Sequence, residues 1–236
     1  MNAKRGFVPE DEKYFSAEAI ETMRIAAGHI LYLINAEYDL KQAATFVGNH
    51  FLLSERQRLA IMRSVATHEQ VRSRREKSVD LLEVEGQEVW IDGFNIIITL
   101  EVLLSDSLIF ECMDGSIRDL AALRGTYRII PETRGAIRLL LEELQAACVK
   151  KANILLDEPV SNSGRLKVLI AEIGEEYALD LDIRICKNPD RELFGKENVI
   201  SSDSVVLDHC KSWINLTSAI VQKTGKRPIR VWSATP

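Results

Sequence analysis

The chain has 236 residues, of which 46% are hydrophobic and 28% are charged. This composition is typical of globular proteins and excludes a disordered tail protein, a collagen-like chain and a coiled-coil fibre. No apolar run approaches the roughly 20 residues that cross a bilayer, and the N-terminus lacks the apolar core of a signal peptide. We therefore expect a cytoplasmic protein with no membrane partner. The cysteines form no C-x-x-C pair and are expected to be buried free thiols: Cys112, Cys148, Cys186 and Cys210.

The net charge of −5 is distributed unevenly along the chain. Residues 1–80 carry 12 basic and 11 acidic side chains, whereas residues 81–236 carry 18 basic and 24 acidic ones. The basic side chains are densest between Arg56 and Lys77, where seven of them accompany two acidic ones. A basic block ahead of an acidic segment predicts that one part of the protein binds an anion and the other holds cations.

The first eighty residues have helical periodicity. Apolar side chains recur at helical spacing over 17–35, with Ser16 as the predicted N-cap. A shorter helix is predicted over 40–47, ended by Gly48, and Ser54 is predicted to cap a third helix. Because no strand-like alternation appears before about residue 81, we predict a small all-helical domain over residues 1–80.

The pattern changes after residue 80, at a boundary that the change in period places within 78–87. Short apolar runs, typical of strands buried on both faces, alternate with helical segments. This alternation predicts an α/β domain over residues 81–236, built on a parallel sheet with covered faces. The predicted strands are 88–92, 107–114, 152–157, 181–186, 198–203, 218–221 and 229–232. The predicted helices are 134–150, 164–177 and 204–213.

Four of the predicted strands end in aspartate, at Asp92, Asp114, Asp157 and Asp203. In an open parallel α/β sheet, ligands bind beyond the carboxyl ends of the strands, so these carboxylates are expected to converge on one edge. Clustered carboxylates repel one another, which raises some pKa values or demands a cation. Oxygen ligands of this kind suit Mg²⁺ or Mn²⁺, which can activate water for phosphodiester hydrolysis. The alternative is that each aspartate forms a turn or caps a helix.

Two strings in this region carry a family resemblance. V-W-I-D-G-F-N-I-I-I-T-L places Asp92 and Asn95 at a strand-to-helix turn, and V-I-S-S-D-S-V-V-L-D places Asp203 at a strand end with Asp208 about one turn later. Over about residues 86–220, the chain resembles the PIN-like nuclease superfamily, particularly its NYN branch. The resemblance implies a metal-dependent ribonuclease with a three-layer α/β/α fold and a parallel central sheet of about five strands.

The resemblance also implies roles for individual residues. Asp92 matches the first metal-binding acid, Asn95 the amide beside it, Asp203 the late acid and Asp208 an outer acid. Asp157 is the first choice for the middle acid, so the implied metal ligands are Asp92, Asp157 and Asp203. The alternatives for the middle acid are Asp114, Asp119 and Glu132, and Asp114 and Asp119 are otherwise expected to support the site. This ambiguity keeps a degenerate, inactive domain open as an alternative.

Two further strings contain candidate substrate contacts. In D-E-P-V-S-N-S-G-R-L-K, the amides at a helix N-terminus, together with Ser161, Ser163 and Arg165, can hold a phosphate. The alternative is an ordinary capped helix. In D-G-S-I-R-D-L, Arg118 either contacts a phosphate or neutralises the two acids on either side of it.

The arginines before residue 78, including Arg56 and Arg63, are candidate contacts to a phosphate backbone. Such binding is salt-dependent and largely independent of nucleotide sequence. The alternative is a solvated helix face on which the arginines pair with neighbouring glutamates.

The N-terminal strings R-G-F-V-P-E-D and V-G-N-H-F-L-L-S-E-R-Q-R carry a second resemblance. They resemble the family named domain of unknown function 434, and this resemblance covers nearly the whole chain. It implies a PIN-like second half but supplies no established activity.

Together these patterns predict an endoribonuclease dependent on Mg²⁺ or Mn²⁺, with RNA as its partner and a homo-oligomer as one compatible state. The alternatives are a non-catalytic RNA- or ribosome-binding protein on a degenerate PIN-like scaffold, and a toxin-like nuclease held inactive by a partner. A Ser-His-Asp hydrolase and an ATPase are not favoured, because the sequence contains no G-x-S-x-G or G-x-x-x-x-G-K-[ST] string.

Overall fold

The computed structural model describes residues 4–121 and 125–233. It contains an N-terminal helical part and an α/β part whose six-stranded parallel sheet carries helices on both sides. The helices of the N-terminal part are α1 (Asp11–Tyr14), α2 (Ala17–Asn35), α3 (Leu40–His50), α4 (Glu55–Ser64) and α5 (His68–Glu76). The helices of the α/β part are α6 (Gly93–Leu104), α7 (Pro131–Ala146), α8 (Ser163–Gly174), α9 (Pro189–Leu193), α10 (Ser204–His209) and α11 (Leu216–Thr224), and a 3₁₀ turn spans Leu81–Val84. The strands are β1 (Ser78–Val79), β2 (Glu88–Asp92), β3 (Ile109–Glu111), β4 (Ile117–Asp119), β5 (Lys151–Asp157), β6 (Asp180–Cys186), β7 (Val199–Ile200) and β8 (Trp213–Ile214).

Local capping chemistry sets the starts of the N-terminal helices. The hydroxyl of Ser16 accepts a hydrogen bond from the Ala19 amide at the start of α2, and Ser54 begins α4 in a capping box with Gln57. The bounds of α2 agree with the predicted helix. Helix α3 runs past Gly48, which was predicted to end it, because Gly48 does not adopt the positive φ of a helix-ending glycine. A Cβ at this position would instead collide with the Arg58 side chain, which favours glycine here.

The sheet has the order β1-β8-β7-β2-β5-β6, and its strands are parallel. From the central strand β2, the chain builds β5 and β6 on one side and then β7 and β8 on the other. The strand order therefore reverses between β2 and β7, which is the position where open α/β sheets bind ligands. Helices α6, α7, α8 and α11 pack together on one face of the sheet, and α9 and α10 lie on the other. None of the helices in the described residues is long and apolar enough to span a membrane.

The predicted strand over 107–114 does not join the parallel sheet. Its residues form β3, which pairs with β4 in an antiparallel hairpin, and Phe110 packs against Phe15 of the helical part with ring centroids 5.3 Å apart. The reason is the turn at Gly115, whose φ of +89° reverses the chain at once and leaves no room for a crossover helix. Asp114 thus lies at a hairpin turn, and its expected place at the sheet edge was wrong.

The predicted strand over 218–221 was also wrong, because these residues belong to α11. A four-residue apolar run does not distinguish a strand from a buried helix segment, and Asn215 caps the helix through the Ser218 amide. At 229–232, the structure has a single parallel bridge from Ile229 to Phe110 instead of a strand. Two cysteines also differ from the expectation, since Cys148 is exposed and Cys186 is half-buried.

Candidate functional site

A cavity of about 350 Å³ opens beyond the carboxyl ends of the central strands. We call it the acidic cavity, because its lining contains five aspartates and two arginines. The charged and amide residues that line it are Asp92, Asp119, Asp157, Asp190, Asp203, Asn95, Arg63 and Arg118.

Four of these aspartates owe their position to the parallel sheet. Asp92 and Asp157 are the last residues of the neighbouring strands β2 and β5. Asp203 precedes α10 shortly after β7, and Asp190 lies in the first turn of α9 shortly after β6. Since parallel strands end at the same edge, residues far apart in sequence meet there.

The carboxylates of the acidic cavity stand close enough to influence one another's ionisation. Burial raises the pKa of Asp92 to about 8, with further contributions from the charges of Asp190, Asp203 and Asp157, while a hydrogen bond from Ser201 opposes the rise. Burial also raises the pKa of Asp157, and burial together with Asp203 and Asp157 raises the pKa of Asp190. Within the described parts of the chain, none of these four aspartates forms a salt bridge. The cavity therefore holds an uncompensated cluster of acids.

Hydrogen bonds fasten the end of β7 to the turn after β2. The Asn95 side-chain oxygen accepts from the amide and the hydroxyl of Ser202, at 2.8 and 2.9 Å. The Ser201 hydroxyl donates to Asp92 at 2.8 Å and accepts from the Asp203 amide at 3.0 Å. Asn95, predicted as the amide beside the metal-binding acid, is thus a residue that holds two strand ends together.

Asp203 also caps α10. One of its carboxylate oxygens, Oδ1, accepts hydrogen bonds from the amides of Val205 and Val206 at 2.8 and 3.3 Å. The alternative interpretation of this aspartate as a helix cap is therefore correct. The cap occupies only Oδ1, and the second oxygen receives no hydrogen bond from the described residues.

Arg63 and Asp119 form one wall of the acidic cavity. Asp119 accepts hydrogen bonds from the Thr99 hydroxyl and the Ala121 amide, both at 2.7 Å, and burial raises its pKa. Arg63 donates to the backbone oxygen of Asp119 and lies 3.7 Å from its carboxylate. With its side chain 34% exposed, Arg63 is the more accessible of the two lining arginines.

Arg118 is bound within the wall. Its guanidinium donates to the backbone oxygens of Ser202 and Arg63, at 2.6 and 2.5 Å, and to the Asp114 carboxylate at 3.1 Å. Of its two predicted roles, neutralisation of Asp114 is the one seen here. Nε, Nη1 and Nη2 of Arg118 thus each donate a hydrogen bond inside the protein.

Asp114 and Asp208 do not line the acidic cavity, because both bind Arg74. This arginine, 2% exposed, lies 2.8 Å from Asp114 and 2.6 Å from Asp208. Burial opposes the charge on Arg74, but hydrogen bonds and charges of the two aspartates outweigh it and raise its pKa. Burial likewise favours the neutral form of Asp114, but Arg118, Ser116 and Arg74 lower its pKa. The two predicted supporting acids instead join α5 to the α/β part.

The remaining predicted substrate contacts also lie outside the acidic cavity. Arg56 binds Asp11 at 2.5 and 2.7 Å within the N-terminal part. Ser161 exchanges hydrogen bonds with the backbone of Tyr127, and Ser163 donates to the Val160 oxygen at 2.7 Å. Arg165 is exposed on α8. Glu132, an alternative for the middle acid, begins α7 and is likewise absent from the lining described here.

Asp190 is the lining acid that the sequence analysis missed. It follows the predicted strand 181–186 by four residues, in the string C-K-N-P-D. The sequence analysis considered only acids that directly end a predicted strand. Including acids that follow a strand after a short loop would have identified Asp190.

No group of three or more His, Cys, Asp or Glu side chains within residues 4–121 and 125–233 is arranged to hold a metal ion. Asp92, Asp157 and Asp203, the predicted metal ligands, thus share one cavity without forming a ready-made set of three ligands. Their arrangement can attract a cation but does not by itself define its coordination.

Comparison with known proteins places these residues in a family. The model of a domain of unknown function, DUF5616, matches residues 81–219. The chain belongs to the DUF5616 family. The model of a protein of unknown function, DUF434, matches residues 22–77 and confirms the second resemblance over that segment. The four uncompensated aspartates of the acidic cavity lie in the DUF5616 segment, whereas Arg63 comes from the DUF434 segment.

A relative matches most of the chain. The chain is 35% identical over 198 residues to "Uncharacterized protein MJ0935" of Methanocaldococcus jannaschii, an alignment that covers 83% of this chain and 95% of the relative. No solved structure matches the chain.

Proposed function

We propose that this DUF5616 protein is an endoribonuclease dependent on Mg²⁺ or Mn²⁺, built on a PIN-like scaffold, with the acidic cavity as its active site. The observation that carries the proposal is the convergence of Asp92, Asp157, Asp190 and Asp203, none of which forms a salt bridge within the described residues, since the two lining arginines pair with Asp119 and Asp114. Four carboxylates held close together repel one another, and a bound cation offsets this repulsion.

The topology supports the PIN-like assignment. Five strands, in the order β6-β5-β2-β7-β8, make a parallel sheet of the size that the resemblance implies, and β1 adds a two-residue edge. Asp92 and Asp203 lie on either side of the point where the strand order reverses. These are the two acids that the PIN-like strings single out.

The donor set fits a hard divalent cation. Mg²⁺ is usually held by one or two carboxylates and retains several waters, so a preformed group of three protein ligands is not required. One or two of Asp92, Asp157 and Asp203 would hold the ion directly, and Asp190 is a further candidate. When bound, the ion would supply activated water and stabilise charge on the phosphodiester.

The substrate assignment depends on the arginine at the rim. Arg63 presents an accessible guanidinium beside the acids, and a guanidinium binds phosphate oxygens through paired hydrogen bonds. RNA would therefore lie between the DUF434 segment, which binds its backbone, and the DUF5616 segment, whose acids face the scissile phosphate.

The test is cleavage of labelled single-stranded RNA by the purified protein with Mg²⁺, with Mn²⁺ and with chelator. Asp92→Asn, Asp157→Asn and Asp190→Asn are the test variants. Asp180→Asn is the matched control, because Asp180 lies at the amino end of β6, whereas the acidic cavity lies beyond the carboxyl ends of the strands. Loss of a group that supports a metal ligand costs about 10–100-fold in affinity or activity, so loss of Asp92 or Asp157 is expected to cost at least that much.

Chelator-insensitive cleavage, or Asp92→Asn cleaving as fast as the parent, would contradict the proposal. Salt-dependent RNA binding without cleavage under any metal would instead support the alternative of a non-catalytic RNA-binding protein on a PIN-like scaffold.

A further inference from the structure

Strand β6 forms an open edge of the sheet. It pairs only with β5 in the described chain, and its register places Asp157 beside Cys186. The Cys186 carbonyl accepts from the Glu158 amide and so points towards β5. Because backbone groups alternate in direction along a strand, Leu181, Ile183 and Ile185 turn theirs to the open side. No backbone hydrogen bond within the described residues reaches these outward groups.

The sequence of this edge is chemically symmetric about Ile183. From Leu181 to Ile185 it reads apolar, acidic, apolar, basic, apolar. If a second copy of the strand lies antiparallel with the two Ile183 residues opposite each other, Asp182 faces Arg184 of the second copy. Leu181 then faces Ile185 of the second copy, and the same contacts recur on the other side of the axis.

The hydrogen-bond pattern agrees with this register independently of the side chains. In an antiparallel pair, hydrogen-bonded positions alternate with non-hydrogen-bonded ones, and side chains are closer at the latter. With Ile183 on the axis, the hydrogen-bonded positions are Leu181, Ile183 and Ile185, which are the residues with outward backbone groups. The charged residues fall at the close positions, where opposite charges stabilise a pair.

We propose that β6 pairs with β6 of a second copy about a twofold axis at Ile183, joining two molecules through one continuous sheet. Such an interface is isologous, since each copy contributes the same surface. The side chains of Asp182 and Arg184 are 38% and 42% exposed and lie 3.3 Å apart in the single chain. Arg184 also lies over the Trp90 ring and donates to Asn153 at 3.4 Å, so pairing with a second copy requires its guanidinium to turn towards the open side.

Charges on an edge strand also serve to prevent pairing. Charges that only prevent pairing can occur in any order along the strand. Here the acid at 182 and the base at 184 attract each other when two copies pair in antiparallel fashion. The choice between the two roles can therefore be made by exchanging the charges.

The dimer is independent of the proposed nuclease activity. Each acidic cavity is built from one chain, and antiparallel pairing of β6 places the two cavities at opposite ends of the strands in the joined sheet. Variants at Asp182 or Arg184 are therefore expected to retain any RNA cleavage that the parent shows. The dimer and the nuclease activity can thus be tested separately.

The test measures molecular mass in solution by light scattering and by sedimentation. The parent is expected at twice the chain mass of 26.6 kDa. Arg184→Asp places two acids opposite each other, and Asp182→Arg places two bases opposite each other, so each variant is expected to dimerise at least about tenfold more weakly. Glu12→Arg, an exposed charge reversal on α1, is the matched control and should remain dimeric.

Mixing the two single variants distinguishes this register from interfaces that do not pair residue 182 of one copy with residue 184 of the other. A chain with Asp182→Arg carries two bases, a chain with Arg184→Asp carries two acids, and the mixture is expected to recover the dimer as a heterodimer. Recovery also shows that both variants are folded. A monomeric parent throughout its soluble range, single variants that dimerise like the parent, or a mixture that stays monomeric would each overturn the proposal.

Discussion

The hydroxyl of Ser201 joins two acids of the acidic cavity, because it donates to the Asp92 carboxylate at 2.8 Å and accepts from the Asp203 amide at 3.0 Å. Asp92 ends β2 and Ser201 directly follows β7, so the contact bridges the two strands at which the strand order reverses. A neutral Asp92 carboxyl is the form that burial and neighbouring acids favour.

The buried carboxyl of Asp92 makes stability depend on pH in the metal-free protein. Its pKa, about 8, exceeds its ordinary value of 3.8, so between these values the unfolded chain has lost a proton that the folded chain keeps. The free energy of unfolding is therefore expected to fall as pH rises from about 4 to about 8, by an amount on the order of 5 kcal/mol. Asp92→Asn should remove the contribution of Asp92 and leave a shallower slope from Asp119, Asp157 and Asp190, whose pKa values burial also raises, as measured by thermal melting in chelator across that range. A parent and variant with parallel pH profiles would contradict the prediction, and Asp180→Asn serves as the control.

The buried arginine Arg74 is expected to be essential for stability. Replacing it with Met leaves Asp114, which is 5% exposed, with Arg118 as its remaining cationic partner and also frees Asp208. Removal of one partner from a buried ion pair costs about 3–5 kcal/mol, which urea unfolding would measure. Arg72→Met, at an exposed position of the same helix, should change stability by less than about 0.5 kcal/mol. Equal effects of the two substitutions would show that the Arg74 cluster is not a stabilising contact.

The first residue of α6 must be small. A Cβ on Gly93 would lie 2.6 Å from the Leu156 side chain and 2.8 Å from the Leu155 backbone oxygen. Gly93→Ala is therefore expected to destabilise the protein by about 1–3 kcal/mol. In Gly164→Ala, by contrast, the new Cβ meets no atom within 4 Å, and a gain of about 0.4–1 kcal/mol is expected. Chemical denaturation of both variants decides the point, and a tolerated Gly93→Ala would mean that β5 can move aside.

The rim arginine Arg63 is predicted to contact an RNA phosphate. Arg63→Gln should weaken RNA binding across unrelated sequences and lower the slope of log affinity against log salt by about 1. Binding is measured in an Asp157→Asn background, in which the RNA is expected to stay intact. Arg72→Gln is the control, because Arg72 is exposed on α5 and is not among the residues that line the acidic cavity. An unchanged salt slope in the Arg63 variant would exclude the contact.

Elements that depend on neighbouring residues were predictable from the sequence. Ser16 and Ser54 mark helix starts because a cap acts over three residues. The apolar runs ending at Asp92 and Asp157 mark buried strands for a similar reason, since burial on both faces demands continuous apolar side chains. The short run at 218–221 failed because its four residues fit a helix equally well.

Partners distant along the chain could not be predicted in this way. Arg74 was a candidate for phosphate contact, but it binds Asp114 and Asp208, which lie 40 and 134 positions further on. Asp208 satisfied the spacing rule for the sheet edge, yet its helix turns it towards α5. Nothing in local periodicity specifies which charge a side chain will meet.

By itself, the sequence determined the division into a helical and an α/β part, the parallel strands and the acids at their ends, because propensity, capping and burial act locally. Only the tertiary structure decided that Asp92, Asp157, Asp190 and Asp203 share a cavity with Arg63, while Asp114 and Asp208 are neutralised elsewhere. The physical reason is that electrostatic environment depends on distance and burial in three dimensions, which chain order does not contain.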